Sequence, residues 1–228
     1  MEADPEFPET FPWTATGELL GRLLERWELV ADERGRSFVG RAQPGLRFTP
    51  PPLQAIGPET RDPRVYLDRL ESGTGLVLVL LVQAGASALG LWRDGELLAH
   101  KVVKKYVVRG RGRAQPLHLK TRGKSRYGAR LRLQGARAQL VETNEKLAEW
   151  RGRHGRFDQV FYSAPVRTWP ELFRVAPRRS KGGRGLPVRI PLDVRVPCHA
   201  ELLRVWRFLG RGSLARPRPD ELPDELIG

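Results

Sequence analysis

The fold is decided by residues 76–108, which read LVLVLLVQAGASALGLWRDGELLAHKVVKKYVV. Short apolar runs separated by turn-forming residues predict three successive strands, at 76–82, 87–92 and 96–108. The dipeptide Asp94-Gly95 lies between the second and third strands, and Asp-Gly is a strong signal for a two-residue hairpin turn. We therefore expect a block of strands near the centre of the chain.

The apolar run from Gly75 to Trp92 has a second interpretation, a membrane-spanning helix. It is interrupted only by Gln83 and Ser87, but a spanning helix needs about 20 apolar residues, so the run is slightly short. The residues between 83 and 87 form a plausible turn in its middle. Buried strands are the preferred interpretation, and we expect no membrane partner. We also expect no signal peptide, because acidic residues occupy positions 2, 4 and 6.

The remaining elements are predicted from periodicity and from proline and glycine. Helices are expected at 16–30 (with Thr16 as its cap), at 129–150, in a short segment opening at Thr168, and at 198–209, strands at 157–163 and 188–196, and irregular chain at 42–64. Strands followed by alternating helices and strands indicate an α/β (α+β) fold, a mixed β-sheet flanked by helices.

Three parts of the chain are expected. Residues 1–70 form an N-terminal extension with the amphipathic helix and a proline-rich loop. Residues 71–210 form the main domain, and residues 211–228 form a flexible C-terminal tail.

Charge is distributed unevenly along the chain. There are 40 basic and 26 acidic side chains, a net charge of +14. Residues 101–141 contain 13 basic and no acidic side chains, whereas residues 1–100 are net acidic. A solvated surface normally mixes both signs, so this segment favours a polyanionic partner such as nucleic acid. The excess of arginine over lysine fits either a GC-rich coding bias or bidentate binding of phosphate.

Several classes of chemistry are disfavoured by what the sequence lacks. A single cysteine, Cys198, excludes a disulfide framework and a thiolate-rich zinc site. The four histidines show no metal-ligand spacing, and neither a Walker loop nor a dinucleotide fingerprint occurs. We therefore expect no metal and no cofactor, and a cytoplasmic protein.

The candidate site is the basic loop at 109–128. Gly110 and Gly112 give its backbone freedom to approach a partner closely, and Gln115 lies at its centre. A glutamine cannot titrate, but its amide can orient a water or an oxyanion where a partner supplies the rest of the site. Alternatively, Gln115 is one neutral residue in an RNA-binding loop.

The candidate RNA-binding residues are the basic side chains in and around this loop. They are Lys104, Lys105, Arg109, Arg111, Arg113, Lys120, Arg122, Lys124, Arg126, Arg130 and Arg132.

A family resemblance is carried by several short motifs in order. The residues 105–109, the glycine- and arginine-containing loop up to Gln115, the stretch 124–132, and the strand 157–165 ending in Ala-Pro resemble the core of the Vms-like release factors, the VLRF family. The resemblance covers roughly residues 75–175. It implies a fold like the middle domain of the eukaryotic class-one release factor. It also implies release of nascent chains from stalled ribosomes or 50S subunits by peptidyl-tRNA hydrolysis.

The family's catalytic glutamine maps onto Gln115. The family usually has Gly-Gly or Gly-Ser before this glutamine, whereas this chain has Arg113-Ala114. The expected partners are the large ribosomal subunit, rRNA and peptidyl-tRNA, with no DNA, and the chain is expected to be a monomer. Whether such proteins cut the peptide ester or the tRNA 3′ end stays open at this point.

Two further hypotheses come from different classes. One is a non-catalytic rRNA- or tRNA-binding protein that associates with the ribosome. The other is a metal-independent tRNA ribonuclease that uses His118, which lies in the basic loop, as its base.

Overall fold

The computed structural model describes residues 8–105, 124–166, 168, 172 and 187–215. The chain divides into two compact units. Residues 1–74 and 206–228 form one, here called the terminal unit, and residues 75–205 form the other, here called the central unit.

The described residues form strands and α-helices with the following bounds. The strands are β1 (Glu9–Pro12), β2 (Leu29–Ala31), β3 (Phe38–Gly40), β4 (Arg47–Thr49), β5 (Leu76–Gln83), β6 (Ala86–Arg93), β7 (Glu96–Lys104), β8 (Gln159–Ser163), β9 (Val188–Arg189) and β10 (Arg211–Ala215). The helices are α1 (Thr16–Arg26), α2 (Pro63–Asp68), α3 (Lys124–His154) and α4 (His199–Leu209).

The terminal unit is built on a five-stranded antiparallel sheet with the order β1-β10-β4-β3-β2. Its core joins Leu20 of α1 and Tyr66 of α2 to the aromatic side chains of the sheet. Phe11 and Phe48 stack there with ring centroids 5.0 Å apart. Apolar burial on one sheet face therefore holds strands that are only three to five residues long.

The flexible tail predicted from residue 211 is wrong for residues 211–215, which form β10. Gly212 and Leu214 are buried there and alternate with more exposed residues. Leu214 packs into the core of the terminal unit, opposite Phe48 on β4. Burial of this side chain orders a segment that reads locally as polar. The rest of the predicted tail lies outside the described residues.

Two other expectations for the N-terminal part need correction. The loop predicted at 42–64 contains β4, because Phe48 is fully buried, and it contains the start of α2. The predicted helix 16–30 ends at Arg26, since residues 29–31 pair in the sheet. Its predicted cap is also wrong. Thr16 is the first helical residue, is fully buried, and makes no capping hydrogen bond, while Ala15 occupies the N-cap position.

The central unit contains a mixed five-stranded sheet with the order β7-β6-β5-β8-β9. Strands β5, β6 and β7 form an antiparallel meander, while β8 pairs with β5 and β9 pairs with β8 in parallel. The predicted hairpin turn is confirmed. Asp94 and Gly95 both have positive φ, 49° and 93°, as a tight two-residue turn requires. The predicted fold class, an α+β mixed sheet with helices, is confirmed.

Strand β5 is buried on both of its faces. Leu78 and Leu80 lie in the core on the side of α3, and Val77 and Val79 on the other side are fully buried too. This explains why the strand reads as a continuous apolar run rather than an alternating one. Within the described part of the chain, no helix is long and apolar enough to cross a membrane.

Helix α3 connects β7 to β8 and is longer than the predicted 129–150. It has 31 residues. Its buried positions are Gln139, Thr143, Leu147 and Trp150, a spacing of four, four and three that places them on one face. Leu147 and Trp150 pack in the core between α3 and the sheet.

The last part of the central unit agrees with prediction less evenly. The helix predicted at 198–209 is confirmed as α4, and the strand predicted at 157–163 is β8. The strand predicted at 188–196 is wrong beyond Arg189. Pro191 and Pro197 have no N–H to donate to a ladder, and the Gln83 side chain instead donates to the Val194 carbonyl, at 2.7 Å. In the helix predicted from Thr168, the Leu172 N–H donates to the Thr168 carbonyl, and the rest lies outside the described residues.

Candidate functional site

Most of the predicted site residues fall on a part of the chain that the structure does not describe. Gln115, Gly110, Gly112, His118, Arg109, Arg111, Arg113, Lys120 and Arg122 lie outside the described residues. Lys124, Arg126, Arg130 and Arg132 belong to α3 by their backbone, and their side chains lie outside the description. Lys104 and Lys105 are described at the end of β7. What the structure shows is therefore the frame from which the basic loop leaves and to which it returns.

The positive charge belongs to the central unit. Residues 75–205 contain 27 basic and 9 acidic side chains, whereas the remaining 97 residues contain 13 basic and 17 acidic ones. The unit that carries the predicted loop is strongly cationic, and the other unit is mildly anionic. A field of this kind attracts polyanions to one unit only.

Helix α3 has two chemically distinct halves. Residues 124–138 contain five basic and no acidic side chains, and the second half contains Glu142, Glu145 and Glu149. The buried face begins at Gln139, and residues 133–138 contribute no buried side chain. The basic half therefore lacks the packing that holds the second half against the sheet, and Leu133 in it is 71% exposed.

The acidic half of α3 uses its carboxylates on lysines. Glu142 binds Lys101 Nζ at 3.3 Å and Lys105 Nζ at 2.8 Å, both from β7 or its end. The hydrogen bond from Lys105 is the main cause that holds the pKa of Glu142 below its ordinary value, so this carboxylate stays charged at neutral pH. Glu149 forms an ion pair with Lys146. An order of charge that opposes the helix dipole is thus offset by ion pairs.

Lys104 and Lys105, the two described residues of the predicted RNA-binding set, differ in their surroundings. Lys105 is held by Glu142, which reduces the charge that it offers to a partner. Lys104 is exposed and makes no ion pair with any residue that the structure describes. Of the two, Lys104 presents its full charge to a phosphate.

A buried glutamine that the sequence analysis missed ties α3 to the turn between β5 and β6. Gln139 is 2% exposed. Its Oε1 accepts from the Gly85 N–H at 3.0 Å, and its Nε2 donates to the Gln83 carbonyl at 2.9 Å and to Ser87 Oγ at 2.7 Å. The signal was present in the sequence, because position 139 lies four residues before Thr143 and eight before Leu147, on the predicted apolar face.

The strand motif at 157–165 has a structural role. The Asp158 carboxylate accepts from the Leu76 N–H at 2.8 Å, and the Asp158 N–H donates to the Leu76 carbonyl at 2.8 Å. These bonds set the parallel register of β8 on β5, in which Val77 lies opposite Gln159. Phe157 packs in the core beside Leu147 and Trp150.

No group in the described residues has the composition of a metal site, that is, three or more His, Cys, Asp or Glu side chains placed to hold an ion. His100 and His199 do meet, with ring centroids 4.1 Å apart, but they form a pair without a third ligand of those types. Cys198 is partly buried.

Comparison with known proteins agrees with this arrangement. Residues 77–216 match the family described as "Bacteroidetes VLRF1 release factor". The chain is 31% identical over 188 residues to the protein named "tRNA endonuclease ANKZF1" from Mus musculus, an alignment that covers 75% of this chain and 24% of the mouse protein. The chain thus spans about a quarter of the length of that relative.

A solved structure titled "Vms1 mitochondrial localization core" aligns with a TM-score of 0.47 and 12% identity, covering 89% of this chain and 82% of that one. The family match includes β5 to β8 with the basic loop and α3 between them, which is the region where the release-factor motifs were identified. The chain belongs to the Bacteroidetes VLRF1 release factor family.

Proposed function

We propose that this chain is a ribosome-dependent peptidyl-tRNA hydrolase that frees nascent chains from stalled ribosomes or large subunits. In this proposal Gln115 positions water at the ester between peptide and tRNA, and the basic side chains around it bind rRNA and tRNA phosphates. The chain would act in the cytoplasm, as a monomer, without a metal or an organic cofactor.

The observation that carries the proposal is the confinement of positive charge to one stretch of one unit of a release factor family member. The 13 basic side chains of residues 101–141 have no acidic neighbour in sequence. The described glutamate that reaches back to this stretch, Glu142, binds Lys101 and Lys105 at its beginning. The charge beyond Lys105 is thus left for a partner, and a ribosomal cavity lined with phosphates is the partner that family membership suggests.

The chemistry asked of Gln115 is modest. Its amide has no proton to exchange at neutral pH, so it would act by orienting a water or stabilising an oxyanion. Removal of a single such group costs about 100- to 1,000-fold in rate in enzymes where it has been measured. The RNA cavity would supply the remaining contacts to the ester.

The experiment is single-turnover incubation with large subunits that carry radiolabelled peptidyl-tRNA, with free peptide, intact tRNA and trimmed tRNA scored separately. We expect free peptide with intact tRNA from the wild-type chain. Gln115→Ala should lose release by about 100-fold or more and keep its affinity for the subunit. The matched control is Gln134→Ala, an exposed glutamine on α3 that should leave release unchanged. Equal release by Gln115→Ala and the control would remove the catalytic role of Gln115.

A second function is favoured by one observation, the printed name of the mouse relative, which is a tRNA endonuclease. A metal-independent tRNA ribonuclease would yield trimmed tRNA in the same assay, and His118→Ala would abolish that product if His118 acts as the base. Binding without either product would support the non-catalytic RNA-binding alternative.

A further inference from the structure

Helix α3 and the end of β7 are fastened to the same turn. Gly85, in the turn between β5 and β6, donates its N–H to Gln139 Oε1 at 3.0 Å and accepts from the Lys105 N–H at 2.9 Å through its carbonyl. One residue of the turn therefore fixes both Lys105, the last described residue before the basic loop, and the helix that follows the loop. Its φ of +88° is a value that glycine adopts without strain.

The Gln139 amide is suited to this task by its chemistry. Both protons of its NH₂ group are used, on the Gln83 carbonyl at 2.9 Å and on Ser87 Oγ at 2.7 Å, and its oxygen is used on Gly85. Thr143, one turn later and fully buried, donates to the Gln139 carbonyl at 2.7 Å. An apolar side chain at position 139 would leave three polar groups of the turn without this partner, so the amide specifies one rotation and one height of α3 on the sheet.

The position of Gln139 along α3 gives small displacements a large effect. It lies 15 residues after Lys124, where α3 begins, and at 1.5 Å per residue this is about 22 Å of helix. A tilt of α3 about Gln139 by ~5° moves the start of the helix by ~2 Å over that length. Misplacement of a reacting group by about 1 Å can cost about 100-fold in rate.

We propose that Gln139 is a positioning residue for peptide release: by holding α3 against the β5–β6 turn, beside Lys105, it sets the geometry in which the chain presents Gln115 to the peptidyl-tRNA ester. The inference rests on the proposed function. Gln139 touches neither tRNA nor peptide. It acts through α3, and its loss affects the rate at saturation while the arginines that bind RNA are all still present.

The test is the single-turnover release assay over a range of protein concentrations, which separates the rate at saturation from the concentration at half-saturation. For Gln139→Leu we expect a 10- to 100-fold lower rate at saturation, with the half-saturating concentration within about twofold of wild type. The matched control is Gln134→Leu, the same change at an exposed position of the same helix, which should match wild type in both quantities. Circular dichroism and thermal unfolding report the folded fraction, to which each rate is normalised.

A second variant serves if Gln139→Leu does not fold. Ser87→Ala removes one hydrogen-bond partner of Gln139 from β6 and leaves the helix sequence intact. We expect it to lower the rate at saturation by a smaller factor, three- to tenfold. If both variants fold, the double variant should be no slower than Gln139→Leu alone, because both changes break the same contact.

The outcomes separate the two proposals. No release by the wild-type chain refutes the proposed function, and the positioning role with it. Release by wild type, together with wild-type rates at saturation for Gln139→Leu or, if that variant is unfolded, for Ser87→Ala, refutes the positioning role alone. A change confined to the half-saturating concentration also refutes it, because Gln139 would then contribute to binding rather than to geometry.

Discussion

Replacement of Gly75 by alanine should destabilise the central unit through a clash that can be located in advance. Gly75 precedes β5 with a φ of +65°. A Cβ there would lie 2.6 Å from Asp158 Oδ2, the atom that accepts from the Leu76 N–H at 2.8 Å. The left-handed backbone costs an alanine about 1–2 kcal/mol, and displacing the carboxylate loses a hydrogen bond worth about 0.5–1.5 kcal/mol. The expected loss of stability is about 2–3 kcal/mol.

Hydrogen exchange of the buried β5 amides measures this loss in the central unit itself. At about 1.4 kcal/mol per tenfold change, amides such as that of Leu80 should exchange about 30- to 150-fold faster in Gly75→Ala. The control is Gly152→Ala, in the last turn of α3, where a Cβ meets no atom within 4 Å. That change should slow exchange slightly, since alanine is favoured over glycine in a helix by about 0.5–1 kcal/mol. Unchanged exchange in Gly75→Ala would show that the left-handed turn and its carboxylate neighbour do not constrain this position.

Three further predictions concern charge and hydrogen bonding. Glu201 is almost fully buried and accepts from the guanidinium of Arg204, which is the main cause of its lowered pKa. Its contribution is therefore complete above the unfolded value of about 4.5 and lost as the pH falls through the lower folded pKa, so Glu201→Gln should remove that part of the acid dependence of the urea midpoint. Tyr66→Phe should lower stability by about 1 kcal/mol, measured as a lower Tm, because the Tyr66 hydroxyl donates to the Gln54 carbonyl at 2.7 Å. Lys104→Ala should reduce the salt dependence of RNA binding by about 0.9 in the log–log slope if its exposed charge binds a phosphate, and Lys146→Ala, whose charge is already paired, should leave the slope unchanged.

The strands of the central unit could be predicted because their determinants are local. Asp94 and Gly95 encode the turn by themselves, and the apolar runs on either side have strand length. The family motifs were equally local, and the family match extends over them. Features whose signals lie within ten residues were thus accessible from sequence.

The terminal unit was predicted less well because its sheet is assembled from distant short strands. β10 pairs with β4 and β1, whose residues are more than 160 positions earlier, and five residues with one leucine carry no recognisable strand pattern. The Thr16 cap failed for a related reason. Burial of Thr16 beneath the unit's own core overrode its preference for a capping position.

Part of the site frame was also beyond sequence reasoning. Gln139 stands on the predicted apolar face of α3, but nothing local shows that its partners are the turn residues 83, 85 and 87, more than fifty positions earlier. The pairing of Glu142 with Lys101 and Lys105 is hidden in the same way, because the two ends of the basic stretch meet only when α3 lies on β7.

The placement of β10 between β1 and β4 has a consequence for synthesis. Residues 75–205 are contiguous, so the central unit can acquire its complete sheet as soon as they have left the exit tunnel. The terminal unit begins first and is completed later, because its β1 has no neighbour until residues 211–215 have been translated. During translation the cationic unit therefore matures while the earlier, acidic segment still waits for its missing strand.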